Sequence, residues 1–174
     1  MELSGKKAIV LVEQMYNDYE FIYPLYRLRE AGADTFVVGP EAGKKYPGKE
    51  GTSAISDLAA KDVNPAEYAV LIIPGGYAPD HMRRNRAMVE LVKNMHQQGK
   101  IVAAICHAGW MLASAKILKG LKLTSFIAIK DDLEHAGANW VDEEVVIDGN
   151  LITSRTPDDL PAFMRAVIEE AEKL

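Results

Sequence analysis

The sequence predicts an α/β fold: a mostly parallel β-sheet with helices on both faces. Two observations carry this. Its strand-like runs, KAIVLV and YAVLII among them, are apolar throughout rather than alternating, which is the signature of strands buried on both faces. Segments of helical period separate those runs, as the crossovers of a parallel sheet require. The chain has 174 residues, 48% hydrophobic and 26% charged, enough to bury one sizeable core. It reads as a single domain over residues 1–174.

In chain order, Lys7–Val12 is a buried strand. A helix over 20–31 follows, with Phe21, Leu25 and Leu28 on one face, and then a second strand at Asp34–Val38. An irregular part with Gly48 and Gly51 includes a short strand near Thr52–Ile55. Tyr68–Ile73 is the next buried strand and ends in Pro74-Gly75-Gly76. Asn85 caps a helix that runs to about Gln98, with Met88, Leu91, Val92 and Met95 at i, i+3, i+4 and i+7. Ile101–Ile105 is a strand, and a helix follows Cys106. Glu144–Ile147 and Leu151–Ser154, joined around Asp148-Gly149-Asn150, form a hairpin. The last helix starts with Thr156 as N-cap, Pro157 at the first position and Asp159 three residues after the cap. Its apolar face is Leu160, Phe163, Met164 and Val167.

Composition excludes several function classes. The net charge of −5 offers no basic patch for nucleic acid. No apolar run approaches the roughly 20 residues of a membrane span, and the run after Lys6-Lys7 is too short for a signal peptide. A single cysteine makes no intrachain disulfide, so a reducing cytoplasm is the expected setting. His81, His96 and His135 lack metal-ligand spacing, and no glycine-rich phosphate loop is present. No metal and no cofactor are expected. Tyr16, Tyr19, Tyr23 and Tyr26 are read as core, rim or interface.

In parallel sheets ligands sit beyond the carboxyl ends of the strands. Two loops leave strands there with unusual residues: Pro74-Gly75-Gly76-Tyr77 and Cys106-His107. Cys106 has the placement of a nucleophile elbow, where a helix N-terminus would favour the thiolate. On spacing alone an inert core cysteine fits equally well. The N–H of His107 follows the thiol and can donate to a developing oxyanion, with Gly75-Gly76 supplying a second donor. Pro24 cannot donate to the carbonyl of Glu20, so the helix is expected to begin or distort at Glu20 and hold its carboxyl over the strand ends. Asp80, beyond the glycines, is either a turn residue or a carboxylate that orients a histidine.

These pieces together resemble the ThiJ/PfpI family, of the intracellular protease I and protein deglycase type, within the class I glutamine amidotransferase-like superfamily. The residues that carry the resemblance are EFIYP (20–24), IIPGG (72–76), APDHMR (78–83), AICH (104–107), IKDDLEHAGANWVDEEVVIDGN (129–150) and TSRTPDDLPAF (153–163). The resemblance implies a flavodoxin-like three-layer sandwich. It implies Cys106 as nucleophile, Glu20 as the acid touching the thiol, and Gly76 and His107 as oxyanion donors. It also implies that Asp80 from a neighbouring subunit completes a triad with His107, in a homodimer or homohexamer with its site at a subunit interface. Gly75, Tyr77 and Trp110 line the pocket. Family members commonly have Gly-Pro after the Cys-His pair, where this chain has Ala108-Gly109-Trp110, and Trp110 is expected to narrow substrate choice.

Three functions follow as expectations. The first is a stress enzyme acting on reactive carbonyls, as a glyoxalase III or protein deglycase that takes methylglyoxal or its adducts on proteins and peptides to lactate. The second is an intracellular cysteine peptidase or amidase. The third is a redox sensor or chaperone built on an oxidisable Cys106.

Overall fold

The computed structural model describes residues 2–174. The chain runs β1 (Lys7–Leu11), α1 (Asp18–Glu30), β2 (Asp34–Gly39), β3 (Lys45–Pro47), β4 (Ser53–Ile55), β5 (Leu58–Ala59) and β6 (Val70–Ile73). It continues α2 (Ala78–Met82), α3 (Arg86–Gln97), β7 (Ile101–Ile105), α4 (Gly109–Ser114), β8 (Lys122–Leu123), α5 (Lys130–His135) and β9 (Asn139–Trp140). It ends with β10 (Val145–Asp148), β11 (Leu151–Ser154) and α6 (Leu160–Glu172).

Seven strands form the central sheet in the order β10-β11-β7-β6-β1-β2-β5. Every pairing is parallel except the β10–β11 hairpin at one edge. Helices α1 and α6 pack on one face, and α3 and α4 on the other. Strands covered on both sides must be apolar at every position, and β6 and β7 are fully buried along their lengths. The face of α3 carries Met88, Leu91, Val92 and Met95, all buried. Each contributes about 1.5–3 kcal/mol of transfer free energy.

The chain leaves β1 toward β2 and β5 on one side, then returns to build β6, β7 and β11 on the other. The gap between β1 and β6 is therefore the point where strand order reverses, and a crevice opens at the carboxyl ends there.

Several local expectations are corrected. Helix α1 begins at Asp18, before Glu20, because Asn17 caps it: its side chain accepts from the N–H groups of Tyr19 and Glu20. Pro24 lies inside the helix and does not set its start. Thr156 makes no side-chain cap, and a single tight turn at Pro157–Asp159 precedes α6. Asp159 instead binds the guanidinium of Arg155, with Oδ2 2.9 Å from Nε. Tyr16 is fully buried, whereas Tyr19 and Tyr26 are exposed.

Candidate active site

The thiol stands at a strained backbone position. Ile105 is extended, and Cys106 then takes φ +62°, left-handed for a residue with a Cβ. Such a conformation costs of the order of 1–3 kcal/mol and persists only when its surroundings enforce it. One enforcing contact is the N–H of Phe126, which donates to the carbonyl of Cys106 at 3.2 Å. Another is the close seat of α4: a Cβ on Gly109 would lie 2.8 Å from Leu133 Cδ1 of α5. Strand, strained residue and tight turn together make the elbow.

Glu20 reaches the elbow from α1. It is fully buried, and its Oε2 accepts from the N–H of Gly75 at 2.7 Å. Its Oε1 is buried without a hydrogen-bond partner of ordinary geometry, and its carboxyl interacts with the Cys106 thiol. Burial pushes this carboxyl up to about 7, against the opposing N–H of Gly75 and the thiol. Burial likewise pushes the Cys106 thiol up to about 12, reinforced by the Glu20 charge and opposed by the N–H groups of Gly76 and His107.

This corrects the expected depression of the thiol. The helix after Cys106 is only Gly109–Ser114, too short to bring much dipole to the sulfur. Glu20 and Cys106 titrate as a pair: two acids in one dry site hold a proton between them near neutral pH. When Glu20 keeps that proton, its charge no longer raises the thiol, and the two main-chain N–H groups work against the burial that remains.

Although sequence neighbours at a turn need not meet, the His107 Nδ1 lies 3.2 Å from the Cys106 Sγ. The imidazole is stacked on Phe126, with centroids 5.1 Å apart, and meets Trp110 edge to face at 5.3 Å. Burial holds it below the usual histidine range, with the Lys49 charge adding to the effect.

The two glycines differ. A Cβ on Gly75 would stand 2.5 Å from Glu20 Oε2 and 2.7 Å from the Cβ of Cys106, so only glycine lets the three groups meet. Gly76 has φ +73°, and a Cβ there would strike the backbone of Asn17 at 2.5 Å. Tyr16 bridges both Gly48 and Gly76, which extends the wall of the site sideways.

Other expected residues stand further off. Asp80 is exposed on α2, and no hydrogen bond or ion pair joins it to His107 within the chain among the described residues. The ring of Tyr77 is also exposed. Among the described residues no cluster of His, Cys, Asp or Glu is arranged to hold a metal ion. No helix among them is long and apolar enough to cross a membrane.

Three contributors were not found from sequence. Asp18 is buried and accepts from the N–H groups of Glu50 at 2.8 Å and Thr52 at 2.9 Å, which fixes the 48–52 loop against α1. Burial raises its pKa, but the hydrogen bonds from Thr52 and Glu50 outweigh it and leave the carboxyl below its usual range. Lys49 sits in that loop and acts electrostatically on both Glu20 and His107. Phe126 follows Thr124, whose N–H donates to the Thr153 hydroxyl of β11 at 2.9 Å, so the 124–126 segment crosses over the elbow. Asp18 opens α1, and Lys49 and Phe126 lie in loops, so none of the three falls in a hydrophobic period.

Comparison with known proteins adds the family. The model of the DJ-1/PfpI family matches residues 6–170. The chain belongs to the DJ-1/PfpI family. Deglycase PfpI of Pyrococcus furiosus is 44% identical over 163 residues, 94% of this chain and 98% of the relative. Protein/nucleic acid deglycase 2 of Escherichia coli is 41% identical over 166 residues, 94% of this chain and 96% of the relative. Among solved structures, a two-domain protein from Anabaena variabilis with DJ-1/ThiJ/PfpI-like and ferritin-like domains superposes with TM-score 0.94 at 43% identity. The match covers 95% of this chain and 48% of that one. The central sheet with its flanking helices is the DJ-1/PfpI, flavodoxin-like arrangement anticipated from the sequence.

Proposed function

We propose that this DJ-1/PfpI protein is a cysteine-dependent enzyme of reactive carbonyls, a deglycase or glyoxalase III-type catalyst with Cys106 as nucleophile. The observation that carries the reading is the buried Glu20 carboxyl, pushed up to about 7 beside a thiol that also lies 3.2 Å from His107 Nδ1. Such a set can hold, release and relocate one proton near neutral pH, as isomerisation of a dicarbonyl requires. The deglycase names of two relatives point the same way.

In this mechanism the Cys106 sulfur adds to the aldehyde carbon of methylglyoxal. The thiol proton, passed through Glu20, ends on the former aldehyde oxygen and gives a hemithioacetal. His107 takes the proton from that carbon and returns it to the neighbouring carbon, while the hydroxyl proton passes to the former ketone oxygen, leaving a lactoyl thioester. Water cleaves the thioester, releasing lactate and restoring the thiol. Methylglyoxal plus water equals lactic acid, so no oxidant or cofactor enters. The N–H groups of Gly76 and His107 face the sulfur and serve the oxyanion of each addition.

Substrates in this reading are small carbonyls or glycated proteins and peptides. The net charge of −5 argues against nucleic acid as the main carrier, even though one relative's name includes it. A free, unprotected thiol suits the cytoplasm. Lactate formation by wild type and by Cys106→Ala decides the matter: we expect a loss of at least about 10³-fold. Equal rates would overturn the proposal. The same two backbone donors suit acyl transfer, so a fluorogenic peptide run in parallel separates the peptidase reading. Intact mass after mild peroxide separates the sensor reading: two added oxygens on Cys106, with no carbonyl turnover, would support it.

We further propose that Asp80 of a neighbouring copy completes the His107 site in a homodimer or homohexamer. It is exposed on α2 and unpaired with His107 in its own chain. Light scattering should return a multiple of the 19.2 kDa chain mass. A monomer mass at working concentration would remove this part.

A further inference from the structure

His107 can act only if its ring keeps one orientation, with Nδ1 toward the sulfur. A histidine side chain on a short turn has two torsions to fix, and the 3.2 Å contact to Sγ restrains only one end of the ring. Phe126 covers one side by stacking, at an interplanar angle of 27°. The other restraint is Trp110, which meets the imidazole edge to face at 67°.

Trp110 is itself held twice. Its indole Nε1 donates to Asp132 Oδ2 of α5 at 2.8 Å. The Arg83 guanidinium lies 5.7 Å from the indole centroid, and its Nε donates to the Ser114 hydroxyl of α4 at 2.9 Å. The indole thus has both a hydrogen-bond acceptor and a cation set against it. A bidentate anchor of this sort orients a ring rather than filling a cavity.

We infer that Trp110 is a positioning residue for His107, fixed in place by Asp132 and Arg83. The inference rests on the catalytic reading of His107, but its consequences can be read without turnover. The charged and titratable groups that act on His107 are the Cys106 thiol, Glu20 through that thiol, and Lys49; Asp132 and Arg83 act through the indole. Releasing the indole should let the imidazole turn and gain water, and its pKa should climb toward the ordinary histidine value.

Asp132 is exposed, so Asp132→Ala should fold, and it removes no group that touches the thiol or the imidazole. We expect kcat on methylglyoxal to fall about tenfold with KM within twofold. Trp110→Phe, which keeps an aromatic edge, should lose less than Trp110→Ala. Long-range ¹H–¹⁵N spectra of the imidazole should show a raised pKa and loss of the single tautomer in Asp132→Ala. That readout survives even if methylglyoxal is not the substrate, whereas loss of the proposed activity would appear as an inactive wild type. An unchanged imidazole titration in both Asp132→Ala and Trp110→Ala would overturn the inference. So would a rise in KM alone, which would make Trp110 a wall of the substrate pocket.

Discussion

Replacing Glu20 with Gln is expected to raise stability above pH 7 while removing nearly all turnover. Glu20 has a folded pKa of about 7 against an ordinary 4.5, with burial as the main cause. A carboxyl raised in this way contributes stability that is fully present below about pH 4.5 and lost as pH climbs through 7. The wild-type protein therefore holds a buried charge at pH 8 at a cost of about 3 kcal/mol. Gln fits the same space, can accept from the Gly75 N–H, and has no charge to bury. Its Tm should exceed that of wild type by about 6–12 °C at pH 8, and the gap should close by pH 4.5. Turnover should fall by about 10²–10⁴, because the amide cannot relay the proton. Paired melts at the two pH values check the claim; a Gln variant less stable than wild type at pH 8 would contradict it.

Gly75→Ala should be damaging for a different reason. The new methyl would meet Glu20 Oε2 at 2.5 Å, Cys106 Cβ at 2.7 Å and the Ile105 carbonyl at 3.0 Å. Two of those neighbours are backbone or β-carbon and cannot swing away. We expect a loss of about 3 kcal/mol or more, with turnover down by at least about 10² as thiol and carboxyl are forced apart. Gly149→Ala is the control: its φ is +58° but nothing lies within 4 Å of the added carbon. It should cost only about 1 kcal/mol and leave activity alone. Similar melts for the two variants would refute the close-approach account.

Much of the fold was readable because its signals are local. The unbroken apolar runs of β6 and β7, the four-residue face of α3 and the Gly149-Asn150 turn each show in a few adjacent residues. The elbow was legible for the same reason: one cysteine at the end of a buried strand. The start of α1 is set by the asparagine cap before Asp18, a signal that outranks the proline within the helix. The thiol's electrostatics depend on burial and on the length of the following helix, which no short window of sequence displays. Asp18, Lys49 and Phe126 escaped altogether, since each gains its role from a segment distant in sequence.

One feature of the elbow bears on how such a protein can change over time. The donors facing the sulfur are the amides of Gly76 and His107, which belong to the main chain. A codon change can delete a carboxyl, an indole or an imidazole, but only proline deletes an amide. The capacity to hold a negative charge beside the thiol thus does not depend on the His107 side chain, although the second amide requires that position 76 stay glycine. Exposed side chains around the site, the Tyr77 ring among them, are by contrast free to be rewritten one at a time. Selection can retune what enters the crevice while the charge-holding core is inherited intact, so new preferences can arise without an inactive ancestor in between.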